Sequence, residues 1–202
     1  MTRTTVCLVL LLLLATAAAA SDAPLAGNDG HPRHRLPLAL YVGSFGAPAL
    51  DLAATRAVDD WNRVAQQTLG VAVFRRVTAP YDGHVVVVAQ PSTGRGNMGV
   101  THIDATADGV IALPVRIIVN DPVARGETSR ETVLYQVLAH ELGHALGLPH
   151  TTDPRSLMCC VHQSLDFNDP AVRDAYVDAR RHPDVGSVRA QLAAQYERLW
   201  RK

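Results

Sequence analysis

The first half of the chain alternates between short apolar runs and one long stretch of helical spacing. Residues 36–42 (LPLALYV) are apolar over the length of a strand. From Asp51 to Leu69 the apolar residues recur at helical spacing, and Gly70 follows. The positions that predict this helical face are Leu52, Val58, Trp61, Val64, Ala65 and Leu69. We interpret Trp61 as an anchor of the core.

Four further strands are predicted before residue 121. They cover residues 71–77, 84–89, 99–103 and 112–120, and the last two are joined by the turn at 106–109. Four consecutive valines in the run 84–89 are typical of a central, buried strand. The order strand, helix, several strands indicates an α/β arrangement with its helices packed on a sheet.

A second helix is predicted from Ser129 to Leu146, with Thr128 or Ser129 as its cap. It carries a stripe of leucines four residues apart, at Leu134, Leu138, Leu142 and Leu146. Residues 169–181 follow, then a break at 182–186. A last helix is predicted over 187–200, capped by Ser187 and docking one side on the body of the protein through Val188, Leu192, Gln195, Tyr196 and Leu199.

The first 20 residues have the layout of a signal peptide. Arg3 precedes an apolar run from Val6 to Ala15, and small residues end at Ala20. A membrane anchor is the alternative, but the apolar run is shorter than the roughly 20 residues that span a bilayer. We therefore expect cleavage after Ala20, secretion, no stable membrane anchor afterwards, a flexible leader over 21–35, and one domain over 36–202.

The charge balance of the mature chain gives no support for nucleic-acid binding. Removal of the signal peptide takes Arg3 with it and leaves 18 of the 19 basic residues against 19 acidic residues. The length suits one domain with its own core, and we expect a monomer. Nucleic acid is not an expected partner.

The chemistry of the chain is concentrated in HELGHALGLPH, residues 140–150. His140 and His144 are one helical turn apart and can bind the same ion, whereas Glu141 lies about 100° round the helix. Glu141 is therefore better placed as a general base than as a ligand. Gly147 permits a reversal of the chain that brings in His150 as a third ligand. Three imidazoles leave zinc one open position, as in a catalytic site.

These residues resemble the metzincin signature HExxHxxGxxH, and the following LPHTTDPRSLM is similar to the matrixin branch of that clan. The resemblance implies a zinc endopeptidase that acts on peptides or proteins, with one catalytic Zn²⁺ and with Met158 as an apolar floor beneath the histidines. It also implies an α+β zincin-like fold. Such a fold has a twisted, mixed five-stranded sheet, a long helix and an active-site helix in an upper part (36–147), and a small helical lower part (148–202).

In this family an edge strand pairs with extended substrate, and we assign that strand to Gly99, Val100 and Thr101 at the start of 99–103. Unpaired backbone groups at a sheet edge allow a peptide to add as another strand.

The chain departs from the matrixin pattern in several places. Cys159 and Cys160 stand where some metzincins carry a tyrosine, and residues 161–163 lack the proline and tyrosine that shape the substrate pocket in matrixins. Residues 90–98 and His102 do not support a structural zinc or calcium site. A cysteine-bearing propeptide is also missing from residues 21–36.

The adjacent Cys159 and Cys160 leave several alternatives open: a vicinal disulfide, two free thiols, pairing between chains, or a thiolate that blocks the zinc. We favour an inert or vicinal pair.

Two other functions compete with a peptidase. One is a secreted, non-catalytic protein that binds zinc or a partner through the same fold, although such a protein has no use for Glu141. The other is a metal hydrolase that acts on a non-peptide amide.

Overall fold

The computed structural model describes residue 25 and residues 27–92, 97–160 and 164–201. The predicted signal peptide lies outside the described residues. Within them the chain forms a five-stranded sheet of β1 (Leu38–Val42), β2 (Phe74–Arg76), β3 (Val85–Gln90), β4 (Gly99–His102) and β5 (Val115–Asn120). Four helices accompany the sheet: α1 (Pro48–Leu69), α2 (Arg130–Ala145), α3 (Pro170–Arg181) and α4 (Arg189–Trp200).

The sheet is mixed, with the strand order β2-β1-β3-β5-β4. The pairs β1–β2, β1–β3 and β3–β5 are parallel, whereas β4 runs antiparallel to β5, with Gly99 opposite Val119. The predicted α+β class and the mixed five-stranded sheet are confirmed. The strand expected to form an edge, β4, does lie at one.

Helix α1 is fixed at both ends by its sequence. Pro48 occupies the first turn, where its missing N–H costs nothing, and Gly70 ends the helix in the left-handed conformation at φ 72°. Trp61 is fully buried, as predicted, and its Nε1 donates a hydrogen bond of 2.9 Å to the carbonyl of Ala139 on α2. The core thus joins the two long helices directly.

The predicted buried face of α1 is wrong at one residue, Leu52. Leu52 is 68% exposed. The buried face instead contains Leu50, Ala53, Ala54, Ala57, Val58, Trp61, Val64 and Ala65. Leu52 lies about 200° round the helix from Leu50, so the two cannot share a face.

Two strands are at least three residues shorter than predicted. The strand expected over 71–77 is reduced to Phe74–Arg76, and the one expected from residue 112 begins at Val115. Pro114 immediately precedes β5 and has no N–H to donate to a ladder, which explains the later start.

The expectation of a flexible leader over 21–35 does not hold for residues 27–35. Gly30 forms a parallel bridge with Val110, and His31 is fully buried. His31 Nε2 lies 2.9 Å from the carbonyl oxygen of Ala145. Trp200 Nε1 donates to the carbonyl of His31 at 3.0 Å. This segment therefore packs between the end of α2 and the last helix.

The last helix packs where predicted but begins differently. Val188, Leu192, Gln195 and Tyr196 are buried, as expected. The predicted cap at Ser187 is wrong, because α4 starts at Arg189 after a 3-10 turn over Val185–Val188. The Ser187 hydroxyl instead donates to the carbonyl of Asp184 and accepts from the amide of Leu157.

Helix α4 supports the chain reversal that follows α2. The Tyr196 hydroxyl donates to the carbonyl of Leu146 at 3.0 Å, and Gln195 Nε2 donates to the carbonyls of Gly147 and Asp29. Among the described residues, no helix is both long and apolar enough to cross a membrane.

Candidate metal centre

Helix α2 and the turn behind it position the three histidines of the motif. Ser129 caps the helix by accepting a hydrogen bond from the amide of Thr132 at 3.2 Å. The helix ends after Ala145, and Gly147 reverses the chain at φ 88°. The amide of Leu148 donates to the carbonyl of Gly143 at 3.0 Å and closes this reversal. His150 is thereby brought back beside the helix.

Glycine is required at position 147 for two reasons. Its φ lies in the left-handed region that other residues adopt at a cost. A Cβ at this position would also lie 2.2 Å from the carbonyl oxygen of Asp29. The buried N-terminal segment therefore packs directly against the turn that carries His150.

The Nε2 atoms of the three histidines converge. They are separated by 3.0 Å between His140 and His144, and by 3.1 Å from each of these to His150. A point roughly 1 Å above or below the centre of this triangle lies about 2.0 Å from all three nitrogens. About 2.0 Å is the usual zinc–nitrogen distance. The donor set therefore fits a zinc ion.

Backbone carbonyls fix the orientation of two of these rings. His140 Nδ1 lies 2.8 Å from the carbonyl oxygen of Leu157, and His144 Nδ1 lies 2.8 Å from that of Leu148. A carbonyl can only accept, so Nδ1 carries the proton and the lone pair of Nε2 points to the centre of the triangle. Burial, aided by repulsion from His144, lowers the pKa of His140 to about 3 and keeps this ring neutral.

Met158 is fully buried and packs against α2. A Cβ added to Gly143, the residue before His144, would come within 2.5 Å of the Met158 sulfur. The carbonyl of Met158 accepts from the amide of Thr151 at 3.0 Å, which ties the segment after His150 to Met158. The role predicted for Met158 as an apolar floor beneath the histidines stays a prediction.

Glu141 is 6% exposed and faces the edge strand β4. The Thr101 hydroxyl donates to Glu141 Oε2 at 2.6 Å and also lies 3.1 Å from the backbone carbonyl of Glu141. A Cβ at Gly99 would lie 2.7 Å from Oε1 of the same carboxylate. The strand thus approaches the carboxylate closely because position 99 has no side chain.

This contact adds a side-chain role for Thr101. Its hydroxyl is buried against Glu141. Substrate contacts by the backbone of Gly99, Val100 and Thr101 stay a prediction. Sequence reasoning missed the Thr101–Glu141 pair, because no motif links residues 40 positions apart.

Cys159 and Cys160 form a vicinal disulfide, which was one of the open alternatives. Cys159 is buried and lines a cleft beside His140. With both sulfurs in the disulfide, neither is available as a thiolate ligand. His102 is half-buried on β4, opposite Arg116.

A mixed sheet packed on a helix that carries two of three converging histidines defines a zincin-like α+β domain. The sequence matches the family model of the matrixins (peptidase family M10) over residues 72–176, just over half of the chain. The chain therefore belongs to the matrixin family.

Curated relatives are similar to this chain at low identity or over a short segment. Matrix metalloproteinase-16 of Homo sapiens is 26% identical over 148 residues, which cover 61% of this chain and 22% of that protein. The same protein of Mus musculus gives the same values. Macrophage metalloelastase of Oryctolagus cuniculus is 49% identical over 37 residues, covering 18% of this chain and 8% of the relative. The chain thus spans about a fifth of the length of matrix metalloproteinase-16.

Proposed function

We propose that this protein is a secreted zinc-dependent endopeptidase that cleaves peptides or proteins. The observation that carries the proposal is the triangle of Nε2 atoms with the buried carboxylate of Glu141 in the next position of the helix. Membership of the matrixin family supports the same activity. The layout of residues 1–20 supports secretion.

His140, His144 and His150 would hold the metal through their neutral Nε2 atoms. When bound, zinc supplies Lewis acidity and lowers the pKa of water towards about 7. Glu141 takes a proton from the attacking water and later returns it to the leaving amine. The Thr101 hydroxyl, at 2.6 Å from Oε2, holds the carboxylate in one orientation during this exchange.

Extended substrate would bind at β4, the edge strand whose neighbour on one side is β5. A peptide that pairs with its other side adds a sixth strand to the sheet. Gly99 and Thr101 place this strand against Glu141, so a peptide bond held there lies near the proposed base. Backbone pairing of this kind suits peptides better than small amides.

The test is cleavage of an unbiased peptide library by the purified protein, with zinc content measured in parallel. We expect one zinc per chain, internal cleavage of peptides, loss of cleavage with a chelator and recovery when zinc is restored. A protein that binds one zinc but cleaves no peptide would support the non-catalytic alternative.

Glu141→Ala should lower turnover by about 100- to 10,000-fold, the range for loss of a general base. It should leave zinc stoichiometry unchanged, because the proposed ligands are intact. Substantial residual peptidase activity would contradict the role of Glu141.

Sequencing the N-terminus of the exported protein would test cleavage after Ala20.

A further inference from the structure

A cleft of about 290 Å³ opens beside His140 and Glu141, and the proposed chemistry does not account for its lining. Its walls come from α2, the start of β4, the loop between β5 and α2, α3 and Cys159. Besides the two motif residues, its polar lining includes Arg125, Gln136, Tyr176 and Arg180. The cleft is thus positioned to accept a substrate group next to the reacting bond.

Arg180 is held in one orientation at this cleft. Its guanidinium carbon lies 4.4 Å from the ring centroid of Tyr176, a cation–π contact. Its Nη2 donates to the carbonyl of Cys159 at 3.0 Å. Its Nη1 is shielded from solvent and has no acceptor within the described part of the chain. A charged donor in this state is costly until an acceptor reaches it.

The four carboxylates of α3 and of the loop before α2 lie beside other basic groups. Glu127 pairs with Arg181 at 2.7 Å, and Asp121 pairs with Arg130 at 2.9 Å. On α3, Asp174 and Asp178 lie beside Arg173 and His182. Neither Arg125 nor Arg180 forms a salt bridge with a described residue. Glu141 is the one acid among the described lining residues, so the two guanidinium groups leave the cleft wall positively charged.

We propose that this cleft binds a carboxylate of the substrate and that Arg180, assisted by Arg125, determines specificity for it. A guanidinium presents a planar pair of donors that matches a carboxylate. The carboxylate is either an Asp or Glu side chain beside the cleaved bond or the free C-terminus of a short peptide. This inference rests on the proposed peptidase function and adds a substrate class to it.

The experiment compares peptides that differ by one charge. One pair carries Glu or Gln at each position flanking a common cleavage site, and a second pair ends in a free acid or an amide. We expect kcat/KM to favour the charged member of one pair by about 10- to 100-fold, the range for a hydrogen bond to a charged group. The pair that responds identifies the source of the carboxylate.

Variants then assign the preference to the two arginines. Arg180→Gln should remove most of the preference, because kcat/KM should fall much more for the charged peptide than for the neutral one. Arg180→Lys should keep part of it, because lysine retains the charge but not the fork. Arg125→Gln, at an exposed position, should lower the preference for the charged peptide by a smaller factor. This variant tests the proposal if Arg180→Gln does not fold. Arg173→Gln, on the exposed side of α3, is the matched control and should change nothing.

A binding measurement separates this inference from the proposed function. The Glu141→Ala protein should bind the charged peptide more tightly than the neutral one by calorimetry, and Arg180→Gln in that background should equalise the two. Cleavage of both peptides at equal rates, or a preference that survives both arginine substitutions, would overturn the inference and leave the peptidase proposal intact. Absence of cleavage from every peptide would overturn the peptidase proposal, and the binding preference would still be measurable.

Discussion

The segment that carries the three histidines and the segments that hold it in place are specified in different ways. His140, His144 and His150 lie within eleven residues, and the carbonyl that orients His144 belongs to Leu148, four residues away. The supports come from much farther along the chain: His31 contacts the carbonyl of Ala145 across 114 positions, and Thr101 contacts Glu141 across 40. The ligands are a local feature of the sequence, whereas their rigidity depends on long-range packing.

The largest effect on stability is expected at Gly147, which belongs to the histidine segment and contacts the distant Asp29. Gly147→Ala forces a residue with a Cβ to φ 88° and places that Cβ 2.2 Å from the carbonyl oxygen of Asp29. Strain and overpacking together should lower the free energy of unfolding by about 3–5 kcal/mol. Zinc affinity should fall as well, because His150 follows the turn. Denaturant unfolding and zinc titration measure the two effects.

Gly46→Ala is the matched control for this substitution. Gly46 has φ 77°, and no atom of the described residues beyond its two chain neighbours lies within 4 Å of the Cβ that alanine would introduce. It should cost about 1 kcal/mol from backbone strain alone. Equal costs at the two positions would show that the contact with Asp29 is not tight in solution.

The next effect concerns the N-terminal support and depends on pH. Burial lowers the pKa of His31 to about 4 from its ordinary value of 6.5. Between pH 6.5 and pH 4 the unfolded chain binds a proton at this residue and the folded chain does not, so stability falls as the pH is lowered through this window. Over this whole window the contribution of His31 to the free energy of unfolding is about 3 kcal/mol.

His31→Gln can still donate to the carbonyl of Ala145 but does not titrate. The difference in unfolding free energy between wild type and this variant should therefore change by about 3 kcal/mol from pH 7 to pH 4, measured on metal-free protein. His34→Gln, at an exposed position of the same segment, is the control and should reproduce the wild-type profile. A His31→Gln profile parallel to that of wild type would contradict the buried, neutral state of His31.

A smaller effect is expected at the support of the proposed base. Thr101→Val keeps the shape of the side chain but removes the hydroxyl that donates to Glu141 Oε2. Loss of a hydrogen bond to a charged group should lower kcat/KM by about 10- to 100-fold. Thr101→Ser, which keeps the donor, should restore most of the activity. Similar losses in both variants would show that the packing of the whole side chain matters, and not the hydroxyl alone.

The division between local and long-range specification explains how much the sequence could reveal. The strand and helix order, the reversal at Gly147 and the edge position of β4 follow from periodicity, from one glycine and from family resemblance. Two predictions were wrong at single residues: Leu52 lies on the exposed side of α1, and Ser187 does not cap α4. In both cases the surrounding residues of the fold determine the outcome. The burial of His31, the Thr101–Glu141 pair and the setting of Arg180 have no local signal, since their partners are brought together by the fold.

The smallest effect is expected at the wall formed by α3. Arg181 on this helix pairs with Glu127 at 2.7 Å, and both side chains are about half exposed or more, at 49% and 78%. Exposed pairs of this kind contribute at most about 1 kcal/mol, so Glu127→Gln should change the free energy of unfolding by less than that and the effect should shrink further in high salt. A double-mutant cycle with Arg181→Gln measures the pair itself. A coupling above about 2 kcal/mol would mean that α3 is fixed to the loop before α2 as firmly as the histidine turn is fixed to the N-terminal segment.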